Sequence, residues 1–108
     1  MAPFGTLEGT SIEVLDREFG SLLAGPERVP RLWTGGRWCE GPAWCAAHRT
    51  LVWSDIPNNR IMRFDDMNGT VGLFREPSNN SNGNTVDREG RLVTCEHLAR
   101  RVTRTEHD

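Results

Sequence analysis

The sequence has no apolar run approaching the ~18 residues that a membrane-spanning helix requires, so no membrane partner is expected. Its start, Met1-Ala2-Pro3-Phe4-Gly5, has neither the basic region nor the apolar core of a secretory leader. A cytoplasmic location is therefore expected, and the triplets Asn68-Gly69-Thr70 and Asn79-Asn80-Ser81 have no glycosylation meaning. Charge of one sign is also missing. Thirteen basic and 15 acidic residues leave a net charge of -2, which gives no electrostatic footprint for nucleic acid. The local cluster Arg100, Arg101 and Arg104 is interrupted by Val102 and Thr103, and reads as exposed strand positions rather than a phosphate patch. Cysteine is scarce: Cys39, Cys45 and Cys95, an odd count that suits a reducing compartment. Cys39 and Cys45 fall on one predicted strand, about 20 Å apart at ~3.3 Å per residue, too far to bridge. No C-x-x-C zinc spacing occurs, so three buried, reduced thiols are expected. No Gly-x-Ser-x-Gly elbow occurs either, and a serine-hydrolase mechanism has no support.

What is present is ordinary for a soluble domain: 36% hydrophobic residues plus 11 glycines in 108 residues, enough for one small domain. Ile12, Leu15, Phe19, Leu22 and Leu23 follow the rhythm of one helix face. They predict a helix over Ser11–Leu23, with Ser11 as its N-cap and Gly25-Pro26 as its end. Val29–Trp33 reads as a strand broken by Thr34-Gly35-Gly36. After residue 37 short apolar runs alternate with turn clusters. A strand around Gly41–Cys45 is followed by strands at Thr50–Ile56, Arg60–Phe64 and Thr70–Phe74, a spacing that predicts an antiparallel meander.

The pattern then restarts. Leu92-Val93-Thr94-Cys95-Glu96 mirrors Leu51-Val52-Trp53-Ser54-Asp55 at an offset of 41, and Arg101–Arg104 mirrors Arg60–Arg63 at the same offset. Gly83 mirrors Gly41 at 42. A repeat of about 40–45 residues with four strands per unit is the signature of propeller blades; a small antiparallel sandwich is the plainer alternative. Residues 38–76 form the first expected blade, and the second begins near Ser81. Because two blades leave an open flank, the chain is expected to be a fragment, or to close its ring by assembly of three copies. Within this frame Glu40 opens an inner strand among Trp38, Cys39 and Trp44. A buried carboxylate there needs a partner or a metal, whereas on spacing alone an exposed turn glutamate is the plainer reading. Asn82 holds the same repeat position as Glu40, and Asn84 shares its strand face. Both read as candidates to bind a polyhydroxylated substrate, or as turn formers. Asp55 and Glu96-His97 end the second strands of their repeats near the expected mouth. His97 is a minority catalytic candidate there, and Ser54-Asp55 is expected to stitch the following turn.

Several segments resemble the senescence-marker-protein, gluconolactonase and luciferin-regenerating-enzyme group, closest to its bacterial gluconolactonase branch. They include Glu40-Gly41-Pro42-Ala43-Trp44, Trp53-Ser54-Asp55-Ile56-Pro57-Asn58-Asn59-Arg60, Phe74-Arg75-Glu76-Pro77-Ser78 and Ser81-Asn82-Gly83-Asn84-Thr85. Thr94-Cys95-Glu96-His97 and Arg100–Glu106 continue the likeness, and residues 11–33 resemble that branch's leader. The resemblance implies an all-β fold: the N-terminal part of a six-bladed β-propeller, about two blades of four-stranded antiparallel sheet, preceded by a short helix. Residues 1–36 are the expected helix and outer strand, and residues 37–108 the first blade and an incomplete second. It further implies metal-dependent hydrolysis of a sugar lactone, with one divalent cation, Ca2+ or Zn2+, in the channel. Glu40 stands at the family's first metal-ligand position, and the remaining ligands fall in later blades. A truncated remnant, or a binding platform without catalysis, is the alternative.

Overall fold

The structure is a computed structural model that describes residues 4–23 and 28–107. It divides into two compact units, Met1–Thr34 and Gly35–Asp108.

In the first unit the helix is far shorter than its periodicity predicts. Only α1, Arg17–Gly20, forms, and Asp16 rather than Ser11 caps it, its carboxylate accepting the Glu18 N–H. Leu15 and Leu22 are 87% and 76% exposed, so these two members of the apolar stripe are left uncovered. Without packing, a segment this short does not repay its nucleation cost. The expected helix end at Gly25-Pro26 lies outside the described residues. In place of a strand at Val29–Trp33 there is one isolated antiparallel bridge, Thr6 to Pro30. It is flanked by hydrogen bonds of 2.8 Å from Leu7 N–H to the Val29 carbonyl and from Arg31 N–H to the Gly5 carbonyl. Pro30 lacks the N–H that a longer ladder needs.

The second unit is all β. Four strands, β1 (Cys39–Cys45), β2 (Thr50–Asp55), β3 (Arg60–Asp65) and β4 (Thr70–Arg75), pair in sequence order as an antiparallel meander. A second meander of three follows: β5 (Ser81–Val86), β6 (Leu92–Glu96) and β7 (Arg101–Arg104). The repeat holds at the level of register. Cys39 faces Asp55 and Ala43 faces Val52 in the first sheet, as Ser81 faces Glu96 and Thr85 faces Val93 in the second. Each inner strand carries an irregularity at the same place, Glu40–Ala43 and Ser81–Asn84. The turn after the second strand of each sheet also repeats, with Asn59 and Arg100 both at φ 54.

Ala43, Val52 and Ile61 from the first sheet pack with Leu92 from the second, flanked by Cys45, Phe74 and Val86. Val52 and Ile61 are 1% and 0% exposed, and each contributes about 1.5–3 kcal/mol by leaving water. The cysteines correct the expectation of three buried thiols: all are free, but Cys39 and Cys95 are exposed and Cys45 is half-buried. Among the described residues no helix is long and apolar enough to cross a membrane.

Candidate functional site

The inner strands β1 and β5 lie against each other, and one glycine sets their spacing. Gly41 has φ +61, and a Cβ there would fall 2.1 Å from the Asn82 carbonyl oxygen. No side chain fits that approach, so the Glu-Gly step is what lets the two inner strands meet. Glu40, paired with Ser54, therefore stands on the strand next to Asn82. Of the two readings of Glu40, a buried carboxylate or an exposed one, the structure has the exposed one, and among the described residues its carboxylate makes no hydrogen bond or ion pair. The aromatic neighbours do not cover it, since Trp38 and Trp44 are themselves 63% and 48% exposed.

Asn84 has a different surrounding. Its Nδ2 donates to the Gly41 carbonyl at 3.0 Å and to Ser54 Oγ at 2.9 Å, and lies 3.3 Å from the Asn82 carbonyl. Its Oδ1 accepts from Thr94 Oγ1 at 2.8 Å. Ser54, fully buried, also shares a 2.9 Å hydrogen bond with the hydroxyl of the equally buried Ser81. The seam between the two inner strands is thus a satisfied polar network centred on Asn84. In low-dielectric surroundings such a network fixes geometry strongly.

Ser54-Asp55 is expected to stitch the following turn through backbone bonds; instead Asp55 reaches that turn through the Asn58 and Arg60 side chains, and its backbone partners lie ahead of β1. Its Oδ1 accepts the backbone N–H of Arg37 at 3.0 Å and of Trp38 at 3.3 Å. Its Oδ2 accepts from Asn58 Nδ2 at 2.8 Å and Arg60 Nε at 3.0 Å. Burial pushes this carboxyl up, but the hydrogen bonds from Asn58, Arg37, Arg60 and Trp38 outweigh it and hold the pKa at about 2. The second sheet repeats the device 41 residues on. Glu96 accepts from Arg101 Nε at 2.8 Å, Asn79 Nδ2 at 2.9 Å and Thr103 Oγ1 at 2.9 Å. The bond from Arg101 is the main reason its carboxyl lies below the usual range. The two segments carrying these pairs mirror each other in the sequence, yet periodicity alone does not show that the acid of one strand clasps the arginine of the next. Between the sheets, Asn59 Oδ1 accepts the backbone N–H of Ser78 at 3.1 Å and of Asn80 at 2.8 Å, tying the connecting loop down.

His97 is exposed and shares an open depression of about 360 Å³ with Asn82, Cys95, Glu96, Arg100 and Arg101. Glu40 and Asn84 do not line it. The structure therefore sets the strand of Glu40 against Asn82 through Gly41, and places His97 with Asn82 in the depression. Of the three basic residues read as exposed strand positions, Arg100 lies in the turn, and Arg101 and Arg104 lie on β7. Arg101 pairs with Glu96 and Arg104 with Glu106. As for a metal, Glu40 offers a hard oxygen donor with no competing partner, which fits one corner of a divalent-cation site. Among the described residues no group of three or more His, Cys, Asp or Glu side chains completes one.

The repeated meander, the Glu40-Gly41 approach to Asn82 and the paired acid–arginine clasps can be set against known proteins. The profile described as the SMP-30/Gluconolactonase/LRE-like region matches residues 38–108. The chain belongs to this family. A gluconolactonase from Xanthomonas campestris is similar at 44% identity with a TM-score of 0.66, over 69% of this chain and 25% of its own. A structural-genomics target assigned as a gluconolactonase is similar at 32% identity with a TM-score of 0.68, over 71% of this chain and 26% of its own. The chain thus spans about a quarter of the length of these solved relatives. No curated protein matches it.

Proposed function

We propose that residues 38–108 supply the first two blades of a propeller that hydrolyses a sugar lactone, with Glu40 and Asn82 forming part of the wall that meets the substrate. The observation that carries this reading is the placement of Glu40 beside Asn82 on adjoining inner strands, held by a glycine that no other residue can replace. Family membership and the likeness to two gluconolactonase structures support it.

The roles follow from the surroundings. Glu40, exposed and unpaired, is the candidate ligand for one divalent cation, Ca2+ or Zn2+, whose other ligands fall outside these residues. A bound cation of this kind supplies a Lewis acid for the lactone carbonyl. The Asn82 side chain, exposed and with both donor and acceptor atoms, suits the hydroxyls of a polyhydroxylated ring. Asn84 already has its amide hydrogens engaged, so what it offers a substrate is the second lone pair of Oδ1. Its larger contribution is to hold Gly41, Ser54 and Asn82 in place.

The test replaces the matching segment of the X. campestris protein with residues 38–108 and follows acid release from 1,5-gluconolactone. Release that stops on chelation and returns with Ca2+ or Zn2+ is expected. A folded chimera with no lactone-dependent acid release would overturn the reading.

A further inference from the structure

The turns that follow β2 and β6 are the same turn used twice. Ile56-Pro57-Asn58-Asn59 and His97-Leu98-Ala99-Arg100 occupy equivalent positions, and each ends on a residue at φ 54. In the first sheet that last residue is an asparagine, a type that tolerates the left-handed region. Its side-chain oxygen accepts two backbone N–H groups of the connecting loop. In the second sheet the position holds Arg100. Arginine has five donors and no acceptor, so it cannot repeat the loop clasp that Asn59 makes. It also bears the left-handed conformation without the local hydrogen bonding that favours asparagine there. Arg100 is exposed, and its guanidinium makes no hydrogen bond or ion pair among the described residues. A backbone conformation that strains the residue, carrying a side chain the fold does not use, points to a function for that side chain.

The surroundings define the function. Ile56 of the first turn is replaced by His97 in the second, and both His97 and Arg100 line the 360 Å³ depression beside Asn82. The acidic group lining it, Glu96, is buried and satisfied by Arg101, Asn79 and Thr103. Its charge is matched by Arg101, which leaves Arg100 uncompensated. We propose that Arg100 and His97, beside Asn82, form an anion subsite that takes the carboxylate of a polyhydroxylated acid. This rests on the lactonase reading for its ligand class, because opening a sugar lactone releases such an acid. The guanidinium fork matches a carboxylate, His97 adds a ring nitrogen, and Asn82 meets the hydroxyls.

Calorimetric titration of the 108-residue chain at low salt tests it, with D-gluconate as the anion and sorbitol as its neutral counterpart. The informative variant is Arg100→Gly, because glycine suits the positive φ and keeps the turn. Gluconate is expected to bind saturably, and sorbitol and the Arg100→Gly protein to show binding at least about tenfold weaker. The unfolding midpoint of Arg100→Gly is expected to be unchanged or raised. Arg104→Met, which removes a charge paired with Glu106, is expected to bind as the parent does. Gluconate binding no tighter than sorbitol, equal binding by Arg100→Gly, or equal losses in both variants would overturn the subsite. The chimera separates the two readings. Gluconate binding with no lactone hydrolysis refutes the activity and keeps the subsite, whereas lactone hydrolysis with no gluconate binding refutes the subsite alone.

Discussion

Ile61 and Val102 occupy equivalent places, the second residue of the third strand in each sheet, yet Ile61 is 0% exposed and Val102 66%. Val52 and Val93 differ in the same direction, one fully buried and one half-buried. The sequence repeat sets pairing, register and turn geometry in both sheets. It does not set burial, which comes from the neighbouring sheet that lies on one and not on the other. This is the behaviour of a stacked-repeat protein, where each unit's stability depends on its neighbour. The same contrast runs through the polar groups. Asp55 is 0% exposed with an arginine partner at 24%, whereas Glu96 is 7% exposed and its Arg101 is 59%.

That comparison can be broken in four ways, and the expected effects decrease in order. Gly41→Val would force a side chain into the Asn82 carbonyl and a branched residue into positive φ. A loss of more than about 4 kcal/mol is expected in denaturant titration, enough to separate the sheets. Asp55→Ala would leave Arg60 beside a partly dry site and release the backbone N–H groups of Arg37 and Trp38. A loss of about 3 kcal/mol is expected by the same measurement. Acid titration of the parent should show the same carboxylate. With its pKa held at about 2 in the folded chain against about 3.8 free, Asp55 contributes about 2 kcal/mol. That contribution is fully present above about pH 4 and disappears as pH falls through about 2. The acid-induced drop in melting temperature across that window should be smaller in Asp55→Ala. Glu96→Ala should cost least, about 1 kcal/mol, because solvent screens its arginine partner. Equal losses for Asp55→Ala and Glu96→Ala would show that the two clasps are equivalent despite their unequal exposure.

The strands were legible because β-branched and aromatic residues alternate between turn clusters, and the offsets of 41 and 42 reappear as register. The helix was not, because periodicity records which residues share a face and says nothing about whether anything covers it. Leu15 and Leu22 keep the rhythm and remain exposed. The exposure of Glu40 agrees with the reading that spacing alone favours; aromatic neighbours in sequence imply burial only if they fold over the group, and Trp38 and Trp44 do not. Asn84 shows a further limit. Alternation places it on the face of Asn82, but its four hydrogen-bond partners come from β1, β2, β5 and β6, and no local pattern records such a convergence. The Asp55–Arg60 and Glu96–Arg101 clasps were within reach, since an acid and an arginine five residues apart recur at one offset across a tight turn.

The most direct test is Glu40→Gln in the chimera that carries residues 38–108, with bound divalent metal and lactone turnover measured on the same preparations. Glutamine keeps the size and removes the charge, so the exposed strand position should fold unchanged. Metal content is expected to fall well below one equivalent, and turnover by about a hundredfold or more, as loss of one charged ligand in an oxygen-donor site implies. Full metal content with parental turnover would contradict the assignment of Glu40 and, with it, the lactonase site proposed on these two sheets.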